Sequence, residues 1–181
     1  GRMYYQHFLG VDVFELAARV SDAAAVSAKY KVPTMEASEC VVCHKTLDPM
    51  RQVFRQAYTL TYHEQKDPAQ TSMPGVFAFD GISKNISSPK ELGQAMASHP
   101  RFAVAWTQKL CYFANSAACS ESDPEFQRIA MVFESSGHDL KTLLREMFTS
   151  PLTTGTRNTQ TFADQGMTLS VARRDQLCGA M

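Results

Sequence analysis

Residues 39–50 read ECVVCHKTLDPM, in which two cysteines are separated by two residues and followed directly by a histidine. This C-x-x-C-H spacing is typical of covalent haem c attachment, in which both thiols form thioethers with the haem vinyl groups. The adjacent imidazole then reaches the iron from the proximal side. We therefore expect one covalently bound haem c, with Cys40 and Cys43 as attachment sites and His44 as an iron ligand.

Two other kinds of site use a C-x-x-C pair, namely zinc sites and thioredoxin-like redox centres. A structural zinc site needs four ligands, but the remaining cysteines, Cys111, Cys119 and Cys178, form no second C-x-x-C pair. A thioredoxin-like motif follows a strand and opens a helix, and neither flank of ECVVCH has a strand pattern. Haem c is therefore the favoured interpretation.

The ligand on the far side of the iron decides between electron transfer and catalysis. A methionine or a second histidine closes the iron and suits electron transfer, whereas an open position admits a small ligand. The segment TSMPG, residues 71–75, resembles the distal-ligand loop of small c-type cytochromes, which makes Met73 the first candidate. His63 is the second candidate. The competing interpretations are a packed loop methionine and a surface histidine.

Helical patterning extends along most of the chain. Apolar residues recur with a period near that of an α-helix in 11–30 and in 47–62. A last helix is predicted in 138–151, closed by a proline. The segment VFAFDGIS, residues 76–83, is a candidate for a short hairpin, and no β-rich segment competes with the helices. The predicted fold class is all-α, with a cytochrome c-like haem-binding domain and an added C-terminal helical region.

Capping signals mark the starts of helices in the second half of the chain. Ser88, followed by Pro89 and by Glu91 at the third helical position, forms a capping box. Asp123 and Pro124 repeat the device at the start of a later helix. Between these two starts, a further helix begins near the segment HPRF. It is predicted to present one apolar face formed by Phe102, Trp106, Leu110 and Phe113.

A second pair of cysteines is separated by eight positions. On one continuous helix, Cys111 and Cys119 would lie about 12 Å apart along the axis, beyond the roughly 7 Å limit for the Cα atoms of a disulfide. A bridge therefore requires the helix to end between them, and Asn115 is suited to a left-handed helix terminus. We expect a Cys111–Cys119 disulfide, which leaves Cys178 without an assigned partner.

Composition restricts the choice of partners and compartment. The 181 residues contain 18 Lys and Arg and 18 Asp and Glu, so no net charge points to nucleic acid or to an anionic membrane. No apolar run approaches the length of a membrane span, and the N-terminus lacks a signal-peptide pattern. Haem c is attached outside the bacterial cytoplasm, so an export segment is expected upstream. A helical pattern from residue 170 stops at Met181, so the native polypeptide is expected to continue.

Three segments carry a resemblance to a known family: CVVCHKTLDP (40–49), SPKELGQAMASHPRFAVAWTQKLCYFANS (88–116) and DLKTLLREMFTSP (139–151). They resemble the paired haem-binding and C-terminal helical domains of large planctomycete-type and myxobacterial-type cytochrome-like proteins. The resemblance covers about residues 35–152 and departs from the family pattern around TYHEQKDPAQTSMPG. It implies covalent haem and export more firmly than any activity.

These observations predict a haem c-binding region with an N-terminal helix in 1–80, a helical region in 81–152, and a tail with the start of a further helix in 153–181. The predicted function is electron transfer by a mono-haem cytochrome domain in the periplasm or another extracytoplasmic space. It would act with redox protein partners or as part of a larger assembly, on a membrane only through those partners. The alternatives are a peroxidase- or oxidase-like enzyme with an open iron, and a subunit in which haem is structural.

Overall fold

The structure, a computed structural model, describes residues 2–13, 15, 47, 49, 50, 53, 54 and 75–165. The chain divides into two compact units, Gly1–His99 and Pro100–Met181. Residue 80, where the sequence-based division lies, is in the turn of a hairpin within the first unit. The described elements are α1 (Arg2–Leu9), β1 (Gly75–Phe79), β2 (Ile82–Ile86), α2 (Pro89–Ala97), α3 (Pro100–Asn115), α4 (Pro124–Ser135), α5 (Leu140–Thr149), α6 (Pro151–Thr154) and α7 (Gln160–Gln165).

The described part of the chain is mostly helical and contains one small two-stranded sheet. The prediction of a mostly helical protein is thus confirmed. The all-α class is corrected by the presence of this small sheet. No helix in the described ranges combines the length and apolar character needed to cross a bilayer. The helix at Arg2–Leu9 was not predicted, whereas most of the helix predicted in 11–30 lies outside the described residues.

The N-terminal helix is held by burial on one side and by an ion pair at its end. Tyr5 and Leu9, four residues apart, are both fully buried, which gives α1 a core-facing side. The guanidinium of Arg2 donates two hydrogen bonds to the carboxylate of Asp12, at 3.0 and 2.7 Å. The backbone N–H of Val11 also donates to the Tyr5 carbonyl at 3.2 Å. These contacts fold the chain back directly after the helix.

The hairpin of β1 and β2 follows from the Asp-Gly pair at its turn. The strands are antiparallel, and Phe79 pairs with Ile82 across a loop of two residues. Asp80 and Gly81 both have positive φ angles, 46° and 78°. A type I′ turn needs positive φ at both central positions, and Asp-Gly is among the sequences that favour it. The hairpin predicted for residues 76–83 is confirmed.

Helix α2 begins with the predicted cap, with one change of partner. The Ser88 hydroxyl accepts a hydrogen bond from the Glu91 N–H at 3.2 Å. In a regular capping box the Glu91 carboxylate would accept from the N–H of Ser88 itself. It accepts instead from the N–H and hydroxyl of Ser87, each at 2.8 Å. The box therefore extends one residue farther back along the chain.

Gly75 brings the hairpin into close contact with the helical segment that follows the C-x-x-C-H motif. A Cβ atom at Gly75 would overlap Cγ2 of Val53 and would lie 3.1 Å from the Ile86 carbonyl and 3.2 Å from the Val53 backbone nitrogen. Both backbone atoms belong to packed elements that cannot move independently. The absence of a side chain at Gly75 therefore permits this packing.

Replacing Gly75 by alanine is expected to destabilise the protein by about 1 to 2 kcal/mol, because the added methyl group overpacks a closed contact. Gly93→Ala is the matched control, since no atom within 4 Å would meet its Cβ. In the helix interior this second change is expected to stabilise by about 0.5 to 1 kcal/mol. Urea unfolding followed by far-ultraviolet circular dichroism measures both. Equal shifts in the same direction would contradict the packing described.

The second unit is a helical assembly around one apolar cluster. The face predicted for α3 is correct only in part: Phe102, Trp106 and Leu110 pack partly buried against this cluster, but Phe113 is 55% exposed. Smaller residues of α3 occupy the centre instead. The cluster consists of Ala103, Cys111, Ala114, Cys119, Phe126, Ile129, Phe133, Leu143, Met147 and Leu152.

Aspartate caps start α4 and α5. Asp123 accepts from the Glu125 N–H at 2.9 Å, as predicted, and also from the Thr161 N–H at 2.7 Å. Asp139 accepts from the Thr142 N–H at 2.9 Å. One carboxylate thus caps α4 and attaches the start of α7 to it. Gly137, with a left-handed φ of 71°, lies just beyond the end of α4.

The Cys111–Cys119 disulfide is present. Helix α3 ends at Asn115, and Ser116 has the left-handed φ of 58° that turns the chain back. The two Cα atoms are consequently 6.0 Å apart, within the range for a disulfide. The predicted helix end is confirmed, but the left-handed residue is Ser116, one position later than predicted.

Candidate functional site

The residues predicted to bind haem lie outside the described part of the chain. These are Cys40, Cys43 and His44 of the motif, together with the two candidates for the distal position, Met73 and His63. Their assignments therefore stay predictions. Cys178 also lies outside the described residues. Within the described ranges, no group of three or more His, Cys, Asp or Glu side chains is arranged to hold a metal ion.

The described residues nearest to the motif follow it by a few positions. Leu47, Pro49, Met50, Val53 and Phe54 are helical, in agreement with the helix predicted in 47–62. Met50 and Val53 are fully buried, and their spacing of three places them on one side of the helix. The described residues that follow the motif are thus helical, and two of them are buried in the first unit.

Two groups of aromatic rings lie in the first unit. In one group, the Tyr4 ring of α1 lies 5.2 Å from the Phe54 ring of the helical segment after the motif and 5.9 Å from Phe8. In the other group, the Tyr5 ring lies 6.1 Å from Phe77 and 5.2 Å from Phe79 of the hairpin, and both of these rings contact His99. These centroid distances are typical of favourable ring contacts.

Tyr5 carries a deeply buried hydroxyl in the group that includes Phe77 and Phe79. Its side chain is 0% exposed, and its oxygen has no hydrogen-bond partner among the described residues. A buried hydroxyl without a partner costs roughly 1 to 3 kcal/mol. Burial also raises the pKa of Tyr5 to about 12, so the phenol stays protonated at neutral pH. Tyr5 is therefore a neutral donor in apolar surroundings.

The described residues of this unit pack against one another. The aromatic rings are in mutual contact, and the Tyr5 hydroxyl has no accessible surface that a haem carboxylate could meet. The first unit, Gly1–His99, also contains the C-x-x-C-H motif. The haem assignment therefore depends on that motif.

Two of the described histidines are packed against aromatic rings, and the third is exposed. His99 lies between α2 and α3 and is 3% exposed, with Nε2 3.4 Å from the Phe79 carbonyl. His138 lies between α4 and α5, with its ring 4.8 Å from Phe102 and 5.2 Å from Phe133. Both are helix-boundary residues, and both pack among aromatic rings. His7 is exposed on α1.

Trp106 is the single tryptophan of the chain and lies on α3. Its ring lies 5.9 Å from Phe102, and the ammonium group of Lys109 lies 5.0 Å from its centroid. The side chain is partly buried against the cluster of the second unit. The structure therefore places Trp106 in the core of that unit, although its indole nitrogen is buried without a partner among the described residues.

A network of ion pairs and hydrogen bonds in the second unit is centred on Glu125 and Arg128. Glu125 is 8% exposed and accepts hydrogen bonds from Arg128 at 2.8 Å, Ser150 at 3.0 Å and Arg157 at 3.1 Å. Arg128 also pairs with Glu146 at 2.8 Å. Both carboxylate oxygens of Glu125 accept hydrogen bonds from these partners. The network therefore connects α4, α5 and the segment after α6. Its role is structural.

Two carboxylates of this unit have lowered pKa values. The hydrogen bonds from Arg128 lower the pKa of Glu125, and the hydrogen bond from Ser150 and the charge of Arg157 lower it further. Burial acts in the opposite direction but has a smaller effect. For Asp123, burial alone would raise the pKa, but the backbone N–H groups of Thr161 and Glu125 outweigh it and lower the pKa overall. Both groups therefore favour the folded state when ionised.

The acid stability of the second unit should reflect these two groups. Because their pKa values are lower when folded than when unfolded, their stabilisation is complete above the unfolded values of about 4. It is lost as the pH falls through the folded values. We expect Glu125→Gln to reduce the free energy of unfolding at neutral pH and to flatten its decline below about pH 4.

Urea unfolding at a series of pH values, followed by the fluorescence of Trp106, measures this effect. Trp106 is the single tryptophan of the chain and reports on the second unit. Glu134→Gln removes the same charge at an exposed position of α4 and is expected to change stability less. A Glu125→Gln curve parallel to that of the unsubstituted protein would contradict the assignment.

No family model matches the chain, and neither curated proteins nor solved structures include a match to it.

Proposed function

We propose that this chain is a mono-haem c-type cytochrome module that transfers electrons outside the cytoplasm. The observation that carries the proposal is the C-x-x-C-H motif. Cys40 and Cys43 would hold the haem covalently, and His44 would bind its iron. When bound, the haem supplies one-electron chemistry, and the protein sets its environment. The resemblance to planctomycete-type and myxobacterial-type cytochrome-like proteins, and with it a cytochrome c-like arrangement of the first unit, is part of this proposal.

The disulfide supports the proposed location. Disulfides persist in oxidising compartments such as the bacterial periplasm and are rare in the cytosol. Cys111 and Cys119 are bridged and buried, at 0% and 3% exposure. Haem c attachment takes place in the same kind of compartment. The bridge in the second unit and the motif in the first are thus two independent indications of a periplasmic or otherwise extracytoplasmic protein.

A carrier is favoured over an enzyme because the motif and a closed iron are sufficient for electron transfer. Met73 is the proposed distal ligand, with His63 as its rival. A methionine raises the reduction potential relative to a second histidine. The partners would be redox proteins that receive or supply single electrons, including neighbouring subunits of a larger assembly.

The test is to produce the chain together with a haem c attachment system and to record its absorption spectra. The pyridine haemochrome spectrum should identify haem c in the unsubstituted protein and be absent after exchange of both Cys40 and Cys43 for alanine. The weak red band of ferric Met-to-iron ligation should be present, lost in Met73→Ala and kept in His63→Ala.

Each outcome decides between the proposals. Haem c without the red band, and with rapid binding of cyanide or peroxide, would replace the carrier by an enzyme with an open iron. Haem c with a spectrum of two histidine ligands that changes in His63→Ala would transfer the distal role to His63. Absence of covalent haem from the unsubstituted chain would overturn the proposed function.

A further inference from the structure

The segment between α3 and α4 carries both the disulfide and the attachment of α7. Cys119 forms the bridge to Cys111, and the next residue, Ser120, donates its backbone N–H to the Thr161 hydroxyl at 3.0 Å. Asp123 accepts the Thr161 N–H at 2.7 Å. We call Ser120, Asp123 and Thr161 the latch. We propose that the disulfide and the latch form a redox-sensitive switch, in which reduction of the bridge loosens α7 and opening of the latch admits the reductant.

Helix α7 depends on the latch because it is too short to be stable alone. It has six residues, Gln160–Gln165, and isolated helices of fewer than about 12 residues are marginal in water. Thr161 and Asp123 are each 1% exposed, so their hydrogen bond is shielded from water. The Asp123 carboxylate also accepts a hydrogen bond from the side chain of Thr159, just before the helix. Opening of the latch therefore removes the contacts that hold the start of α7.

The disulfide restrains the segment on which the latch is built. Residues 116–123 connect α3 to α4, and the bridge fixes Cys119, in the middle of this connection, to α3. Ser120 follows directly, so it moves away from Thr161 only as far as Cys119 allows. Gln108 of α3 also holds Cys119, through hydrogen bonds to its carbonyl at 2.7 Å and from its N–H at 2.8 Å. These bonds remain after reduction, so the reduced protein keeps its fold, but its latch opens more often.

The bridge is shielded from reductants while the latch is closed. Cys111 is 0% exposed and Cys119 is 3% exposed, and a thiolate must reach a disulfide sulfur directly in order to attack it. The reductant would be a protein dithiol. One of its thiolates attacks Sγ of Cys119, Sγ of Cys111 leaves and takes a proton, and the second thiol resolves the mixed disulfide. Both cysteines end as thiols and the dithiol ends as a disulfide, so two electrons and two protons pass to the bridge. Because reduction requires opening and reduction eases opening, the two processes are reciprocally coupled.

Hydrogen exchange in the full chain tests whether the bridge controls the latch. The exchange rate of the Thr161 N–H is measured by NMR with the bridge intact and after treatment with dithiothreitol. The Thr142 N–H is the matched control, since it donates at 2.9 Å to Asp139, the cap of α5, which the bridge does not join. We expect reduction to raise the Thr161 rate by about tenfold or more and to leave the Thr142 rate nearly unchanged. Exchanging Cys111 and Cys119 for alanine should give the fast Thr161 rate without dithiothreitol.

The rate of reduction tests whether the latch shields the bridge. Thr161→Val keeps the shape of the side chain but removes the hydroxyl that accepts the Ser120 N–H, so it weakens the latch. Thr149→Val is the matched control, because it removes a hydroxyl from an exposed position of α5 in the same unit. The folded proteins are treated with dithiothreitol, and the thiols of Cys111 and Cys119 are followed by alkylation and mass spectrometry. We expect Thr161→Val to be reduced about five to ten times faster than the unsubstituted protein and Thr149→Val to be reduced at the unsubstituted rate.

Three outcomes would overturn the inference. The first is a Thr161 exchange rate that reduction raises no more than that of Thr142, which would make the bridge a general stabilising link. The second is equal reduction of Thr161→Val and Thr149→Val, which would separate the bridge from the latch. The third is a bridge that dithiothreitol leaves intact in the folded protein. If Thr161→Val does not fold, the exchange measurement on the unsubstituted protein decides alone. These measurements do not involve the C-x-x-C-H motif, so the inference and the proposed function are tested separately.

Discussion

Exchanging both Cys111 and Cys119 for alanine is expected to lower the free energy of unfolding of the second unit by about 2.5 kcal/mol. The bridge joins residues eight positions apart, and closing a loop of about this length in the unfolded chain accounts for that magnitude. Denaturant unfolding followed by Trp106 fluorescence measures the loss. The matched comparison is the unsubstituted protein unfolded with and without a strong reductant, which should reproduce the same difference.

The double variant is expected to fold, because other contacts hold the same turn. Gln108 accepts a hydrogen bond from the Cys119 N–H at 2.8 Å and donates one to the Cys119 carbonyl at 2.7 Å. Asn115 donates to the Leu152 carbonyl at 2.9 Å. None of these hydrogen bonds uses a cysteine sulfur atom, so they do not depend on the disulfide. Unfolding of the unsubstituted protein that is insensitive to reductant would contradict a stabilising role for the disulfide.

Local signals predicted the features that depend on a few neighbouring residues. The hairpin follows from Asp80–Gly81, since this pair accepts positive φ at both positions. The starts of α2 and α4 follow from Ser88 and Asp123, whose side chains satisfy backbone donors within three positions. The disulfide was predictable because helix geometry requires the chain to turn between the two cysteines.

Features that depend on the packing of distant residues were missed. Along α3, the predicted apolar face begins at Phe102, but the buried row begins one residue later, at Ala103, and continues through Thr107 and Cys111. The two rows have the same period and differ in direction by about 100°. The prediction was wrong because it assigned the largest apolar residues to the interior. Small residues allow neighbouring helices to approach closely, so they occupy the interior and Phe113 is exposed.

The first unit also contains one feature that local sequence predicts and one that it does not. The C-x-x-C-H spacing predicts attachment chemistry because those residues act together within five positions. The burial of Tyr5 has no such signal, since it depends on contacts with Phe77 and Phe79, more than seventy positions away. Helix α1 was missed for a related reason: burial of Tyr5 and Leu9 stabilises it in the absence of a strong capping sequence.

Phe126→Ala is expected to produce the largest loss of stability among the substitutions considered, about 3 to 5 kcal/mol. Phe126 is 1% exposed and belongs to the apolar cluster of the second unit. Truncation removes the transfer free energy of the ring and leaves a cavity that the helices can fill only partly. Urea unfolding followed by Trp106 fluorescence gives the difference.

Phe148→Ala provides the matched control, because it removes the same ring from a side chain that is 45% exposed. Phe148 is one of three exposed apolar residues that recur every four positions on α5, with Leu140 at 52% and Leu144 at 36%. In the isolated protein its truncation should cost well under half as much as that of Phe126, since little buried surface is lost. Comparable losses for the two substitutions would place Phe148 in a buried environment in solution and would contradict the assignment of this face of α5 as exposed.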